Sequence, residues 1–443
     1  MMSDDGATED EAEKKKFKEK LDEIDKHGAT GVDVDKKMLD GRKQNRGYTM
    51  SVGRSKAEDV DIAALRKGTR AQTLPAMSTR RGDLMLSPES QQELWEEQKT
   101  LAARIRRGSV SIPVTAQVSE EDFQKTWAEH ATCHIHGVMT EGQSAGDERE
   151  RAFFGSEALP GANPPIIACQ KGQKGFRDTT PNQDNFSVTY FKNGYTLACT
   201  FDGHGPYGHI VSTQTVQTVP HYLAKSSSFP SDMKAALIEA FENAQKEIVM
   251  KAVTEGWDVQ ASGSTAVAAI WKGDTVWTAN CGDSRCVIST EKNRNVTFET
   301  EDHKPNTPAE KERIEKMGGE VRTQTYSDGW VNHRIFVKGK DFPGLCMART
   351  LGDESVKAHG VIATPEVSET KVNLEERPFF VLASDGIWEF LESAFVAKAV
   401  AKKIESDGPD KTVQKLQKEA RKRWRQEEGD YCDDITSILV QLR

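Results

Sequence analysis

Short apolar runs punctuated by turn residues fill the second half of the chain, and amphipathic stripes of helical period interrupt them. Residues 195–201, Tyr-Thr-Leu-Ala-Cys-Thr-Phe, read as a buried strand that stops at Asp202-Gly203. Residues 265–271 and 275–280, joined across Lys272-Gly273-Asp274, read as an antiparallel hairpin. Further strands are expected at 285–290, 296–300, 379–384 and 435–442. After Ser231-Asp232, the residues Leu237, Phe241, Ala244 and Ile248 fall on one helical stripe. Thr307-Pro308-Ala309-Glu310 has the form of a capping box, and Gly318-Gly319 closes the helix it opens. Val413, Leu416, Ala420 and Trp424 mark another face, starting from Asp410. Pro88 after Ser87, with Leu94, Leu101 and Ile105 at i, i+7 and i+11, predicts a helix near 88–107. Helices stand between hairpins rather than after every strand, so the class is α+β, and two packed sheets covered by helices would use these elements.

Aromatic residues divide the chain. Of 32 Phe, Trp and Tyr in 443 residues, only Phe17 and Tyr48 precede Trp95. A segment without large side chains cannot offset its ordering entropy by burial. Residues 1–160 are therefore expected to be a mostly disordered charged extension carrying the helix near 88–107, and 161–443 the folded domain. Arg106-Arg107-Gly108-Ser109 resembles a site for a basophilic kinase, although a solvated helix end is the simpler reading. The net charge of −9 gives no general pull towards nucleic acid. Seven cysteines without a Cys-x-x-Cys pair suit a reducing compartment, so a cytoplasmic or nuclear location and a monomer are expected. The longest apolar stretch, 266–271, is far shorter than the roughly 20 residues of a membrane span, and no secretory leader is expected.

The strongest chemical signal is acidic. Asp184, Asp202, Asp385 and Asp433 each lie at or near the end of a β-type run, and Asp283 sits in Gly282-Asp283-Ser284-Arg285. An isolated Asp-Gly is usually a turn. Several carboxylates gathered at one sheet edge would instead be costly unless a cation neutralised them, and carboxylate oxygens select hard ions such as Mg²⁺ or Mn²⁺. A glycine beside such a ligand, as Gly203 is, lets the backbone carbonyl approach as well.

An ordered set of motifs adds a resemblance. Asn182-Gln183-Asp184, Phe201-Asp202-Gly203-His204-Gly205, Gly263-Ser264-Thr265-Ala266, Asn280-Cys281-Gly282-Asp283-Ser284-Arg285, Asp302-His303-Lys304-Pro305, Leu351-Gly352-Asp353, Pro365-Glu366, residues 383–389 around Ser384-Asp385-Gly386 and Asp433-Asp434-Ile435-Thr436 are similar to those of the metal-dependent serine/threonine protein phosphatases of type 2C. The resemblance implies two antiparallel β-sheets packed as a sandwich flanked by α-helices, with two Mg²⁺ or Mn²⁺ ions at one end. It implies hydrolysis of phosphoserine and phosphothreonine in phosphorylated proteins by direct attack of a water bridging the two ions. Asp202 would bridge both ions, the Gly203 carbonyl would serve one, and Asp385 and Asp433 would complete the other. Asp184 would hold the second ion directly or through water, and Asp283 would join Asp385 around a possible third. His204, two residues beyond Asp202, is the expected general acid.

The sequence departs from that pattern in places. Gln183 stands where many members have Glu, and a neutral amide supplies no charge to a metal. The phosphate-gripping Arg of the family has no counterpart in register; Lys174 and Arg177 are the nearest cations. Asp434 follows Asp433 where Asn is usual, and register favours Asp433 as the ligand. Asp302-His303-Lys304-Pro305 reads as a structural turn, and the tract 130–136, with His130, His134 and His136, lacks the second ligand pair of a closed zinc site. A loop at 322–344 is expected to contribute to substrate choice. A binding-only pseudophosphatase is the competing reading, disfavoured because Asp202, Asp385 and Asp433 are all present. A small-molecule phosphohydrolase is another, separable by assay.

Overall fold

A computed structural model describes residues 87–106, 117–155, 159–161, 163–175, 178–326 and 329–443. The charged segment before residue 87, Ser109 and Arg177 lie outside the described residues.

Two antiparallel sheets face each other. The larger, nine-stranded sheet runs Glu366–Lys371, Thr275–Cys281, Ala266–Lys272, Thr196–His204, Asp184–Phe191, Ala131–Gly137 and Arg151–Gly155, with the short strands Gly263–Ser264 and Leu351–Gly352 branching from it. The smaller runs Val296–Glu299, Arg285–Thr290, Pro378–Ala383, Ile435–Gln441 and Ile166–Gln170. Alternation of side chains along each strand sets the layers. From the strand Pro378–Ala383, Phe380 and Leu382 point between the sheets, where they meet Phe186, Val188, Ala198 and Val267 of the larger one. Phe379, Val381 and Ala383 point the other way, under Val396, Val400, Val413, Leu416 and Trp424 of the helices Ser393–Asp407 and Pro409–Glu428. On the opposite side, Leu197, Cys199 and Phe201 pack beneath Val216, Val219, Leu237 and Phe241 of the helices Gly208–Lys225 and Met233–Glu255. Covered on both faces, these strands read as continuous apolar runs rather than as apolar–polar alternation.

Several expectations need correction. The folded domain starts well before residue 161. Ser119 and Asp122 form a reciprocal capping box for the helix Glu120–His130, and the strand Ala131–Gly137 pairs with Asp184–Phe191 in the larger sheet. The signals were Ser119-Glu120-Glu121-Asp122 and the i, i+4 pair Phe123 and Trp127, both buried. The helix Pro88–Arg106 also belongs to this body, because Leu94 is buried with Ala261 and Phe342 and Gln98 donates to the Trp257 carbonyl at 3.1 Å.

The strand expected to stop at Asp202-Gly203 continues to His204, since Gly203 and His204 pair with Ser264 and Gly263. Thr307 makes no side-chain cap; Glu310, which would complete the box, is drawn instead to Arg313 and Arg349. The loop expected at 322–344 is mostly a hairpin, Gly319–Thr325 against Val331–Val337, joined by Pro343–Leu345 in a separate three-stranded sheet.

Candidate metal centre

Strand register brings the first two acids together. The pairing that sets Tyr190 opposite Thr196 beside their tight connection sets Asp184 opposite Asp202 at the far end. Gly203 follows in a packed corner, where a Cβ would lie 2.7 Å from the Gln183 carbonyl oxygen. The smaller sheet contributes from the same end: Asp385 follows the strand Pro378–Ala383, Asp433 and Asp434 precede the strand Ile435–Gln441, and these two strands are neighbours. Ser384 ties the sheets together. Its hydroxyl donates to Asp184 Oδ2 at 2.7 Å and accepts from the Thr436 amide at 3.1 Å.

Asp283 arrives from the connection after the strand Thr275–Cys281, and Lys304 Nζ meets its Oδ2 at 2.5 Å. The Asp302-His303-Lys304-Pro305 turn is therefore more than a turn. Asp302 takes Arg285 in two bonds of 2.8 Å, His303 Nδ1 accepts from the Gly282 amide at 3.1 Å, and Lys304 is thereby aimed at Asp283. Sequence reasoning missed Lys304; its signal was a cation inside a motif that accounted for no apolar packing.

Like charges dominate the cluster. Burial, followed by Asp434, pushes the Asp184 carboxyl up to about 7. Burial and then Asp184, Asp385, Asp433 and Asp283 hold Asp202 well above the ordinary carboxylate range. Asp385 is raised in the same way by burial, Asp433, Asp283 and Glu389. Asp433 is raised by burial, with Lys174 pulling against it. Asp283 Oδ1 and Asp385 Oδ1 are buried without a hydrogen-bond partner among the described residues. Oxygen donors that repel one another, two of them with orphaned atoms, fit a hard divalent cation. Among the described residues no three His, Cys, Asp or Glu side chains already stand at the spacing of a closed ligand set.

The two adjacent acids have different work. Asp434 is buried and accepts from the Gly172 and Gln183 amides at 2.7 and 2.8 Å, so it holds the loop in shape. Asp433 keeps some solvent contact, and Lys174 Nζ lies 3.2 Å from its Oδ1. Both residues lie between strands rather than on one, so strand alternation does not separate them; the backbone bonds of Asp434 do. Gln183 bridges by its amide, accepting from Lys174 at 3.0 Å and donating to the Gly205 carbonyl at 2.8 Å.

His204 is buried at 8% exposure, with Nε2 2.7 Å from Asp353 Oδ2. Asp353, in the Leu351-Gly352-Asp353 motif, has φ 47°, a left-handed conformation that is strained for a non-glycine residue. Its amide donates to the Ser262 carbonyl at 2.9 Å, and a Cβ on the neighbouring Gly263 would lie 2.7 Å from His204 Nε2. The site therefore requires a bare backbone there for the pair to close. The 130–136 tract does not join the acids: His134 is fully buried, stacked on Trp127 at 4.1 Å and bonded to Thr189 at 2.8 Å.

Residues 166–429 match the family model of protein phosphatase 2C, more than half of the chain. This chain belongs to the protein phosphatase 2C family. Over 253 residues it is 34% identical to "Probable protein phosphatase 2C 61" of Arabidopsis thaliana, covering 56% of this chain and 75% of that protein. Over 300 residues it is 30% identical to "Probable protein phosphatase 2C 48" of Oryza sativa subsp. japonica, covering 62% and 82%. The solved serine-threonine phosphatase 2C of Toxoplasma gondii superposes with a TM-score of 0.54 at 21% identity, over 70% of this chain and 99% of that one, which shows the shared fold. Membership makes the protein a metal-dependent serine/threonine protein phosphatase. The matched segment begins at 166, whereas the larger sheet begins at Ala131.

Proposed function

We propose that the protein hydrolyses phosphoserine and phosphothreonine in phosphorylated proteins by direct attack of water at a two-ion Mg²⁺ or Mn²⁺ centre. Asp184, Asp202, the Gly203 carbonyl, Asp385 and Asp433 would hold the two ions, and Asp283 would join Asp385 around a third. The observation that carries this reading is the convergence of carboxylates from both sheets on one another, with oxygens left unpaired at Asp283 and Asp385. Divalent cations held there would supply Lewis-acid chemistry, acidifying water and drawing charge off a phosphoryl group.

The chain's own residues do the rest. Ser384 fixes the Asp184 carboxylate by donating to its Oδ2. His204 is the proton donor to the departing seryl or threonyl oxygen, a role worth about 10²–10⁴-fold in rate. Since Asp353 takes Nε2, Nδ1 is the atom that carries the transferable proton. Asp353 orients the ring and stabilises its charged form, acting through His204 rather than on substrate. We take the chain to act as a monomer in the cytoplasm or nucleus.

The test is hydrolysis of a phosphothreonine peptide with Mn²⁺, with and without chelator, for wild type and Asp202→Ala, with nucleotides as competing substrates. Activity that needs metal, favours the peptide and is nearly abolished by the substitution is expected. Turnover of nucleotides alone would remove the protein-substrate reading.

A further inference from the structure

A two-residue ladder puts a lysine at the acid cluster. Gln173–Lys174 pairs with Tyr431–Cys432, Lys174 standing opposite Tyr431, so the side chain of Lys174 emerges beside Asp433. The neighbouring lysine is engaged elsewhere. Asp178 takes the ammonium of Lys171 and also accepts from the Lys174 amide at 2.9 Å, which pins the backbone of this segment. From there Lys174 Nζ lies 3.2 Å from Asp433 Oδ1, 3.8 Å from Asp434 Oδ2 and 3.0 Å from Gln183 Oε1. Asp433, Asp434 and Gln183 hold it on one side of the cleft, and Asp433 is a proposed metal ligand.

We infer that Lys174 is a tethered cation competing with a divalent ion for the Asp433 side of the cleft, so that the protein binds one ion tightly and a second weakly. Two observations and one electrostatic consequence converge. Gln183, where many members carry an acid, is neutral and bonded to Lys174 itself, so no added carboxylate there offsets the ammonium. Asp434 spends both carboxylate oxygens on the Gly172 and Gln183 amides, leaving Asp433 as the acid on this side with an oxygen turned to Lys174. An ammonium a few ångströms from a ligand oxygen repels an incoming divalent ion while lowering the cost of leaving Asp433 charged in its absence. The protein thus carries its own counter-ion for the half-loaded state, and divalent-ion concentration sets how far that state gives way.

The inference rests on the proposed metal centre. Its test is calorimetric titration of chelator-stripped full-length protein with Mn²⁺, comparing wild type, Lys174→Met, Lys174→Gln and Lys174→Arg, with circular dichroism to confirm folding. Wild type is expected to show a tight and a weak class. The two neutral variants are expected to tighten the weak class by about tenfold or more, and Lys174→Arg to keep it weak, since it retains the charge. Lys174→Gln preserves hydrogen bonding and serves if Lys174→Met does not fold. Unchanged weak-class affinity in the neutral variants, or equal behaviour of the neutral and Arg variants, overturns the role of Lys174 and leaves the metal centre standing. Wild type that takes up no Mn²⁺ overturns the metal centre, and this inference with it.

Discussion

Removing a negative charge from the cleft should stabilise the metal-free protein while destroying its activity, and Asp184→Asn shows this most directly. In the folded protein burial and neighbouring acids push the Asp184 carboxyl from 3.8 to about 7. A folded acid with a raised pKa keeps its proton after the unfolded chain has lost it. The contribution of this carboxyl to stability therefore falls as pH rises from about 4 and is fully lost above about 7. At pH 8 the gap of about three units, at about 1.36 kcal/mol each, costs on the order of 4 kcal/mol, shared by the whole coupled cluster. Asparagine removes that cost. Its carbonyl oxygen still accepts from Ser384, at a loss of about 1 kcal/mol for the weaker bond.

The net gain is about 2–3 kcal/mol, a few degrees in Tm. At pH 5 the cost in wild type is only on the order of 1–2 kcal/mol, so the advantage should shrink to near zero. Thermal unfolding of chelator-treated wild type and Asp184→Asn at pH 5 and pH 8 measures this, beside phosphopeptide turnover with Mn²⁺. Equal or lower Tm for the variant at pH 8 would refute the picture of a repulsive cluster awaiting a cation.

Other expectations follow from separate parts of the structure. Asp353→Asn should lower turnover of a phosphothreonine peptide by about 10- to 100-fold and spare p-nitrophenyl phosphate, whose leaving group needs no proton; equal losses on both would show a merely structural role. At acid pH, His136 should weaken the fold, because burial lowers its imidazole from 6.5 to about 4. Below pH 6.5 the unfolded chain takes the proton first, so stability falls as pH drops, by up to about 3 kcal/mol below pH 4. His136→Asn should lose less stability than wild type between pH 7 and 4.5 in urea unfolding, and parallel losses would contradict this.

Much of this protein was legible in its order of residues. The apolar runs at 266–271 and 379–383 had to be buried on both sides, which required helices outside two stacked sheets, and the helical stripes supplied them. The acids at strand ends announced a hard-ion site because carboxylates are tolerated at such an edge only with a counter-charge. Local patterns are written in neighbouring residues, so periodicity finds them. The helix Glu120–His130 was missed although its cap was written out, because the scarcity of aromatic residues before Trp95 was extended past the buried pair Phe123 and Trp127.

What only the tertiary structure decided are the partnerships between distant residues. Asp353 beside His204, Lys304 beside Asp283, and Lys174 on Asp433 each join residues separated by two strands or by much of the chain. Asp433 and Asp434 are chemically alike in sequence; backbone amides of Gly172 and Gln183 make one a structural anchor and leave the other to the cleft. A side chain's charge is a property of its residue, but which charge it meets depends on strand register and on how the sheets stack, and those arise from the packing of the whole molecule.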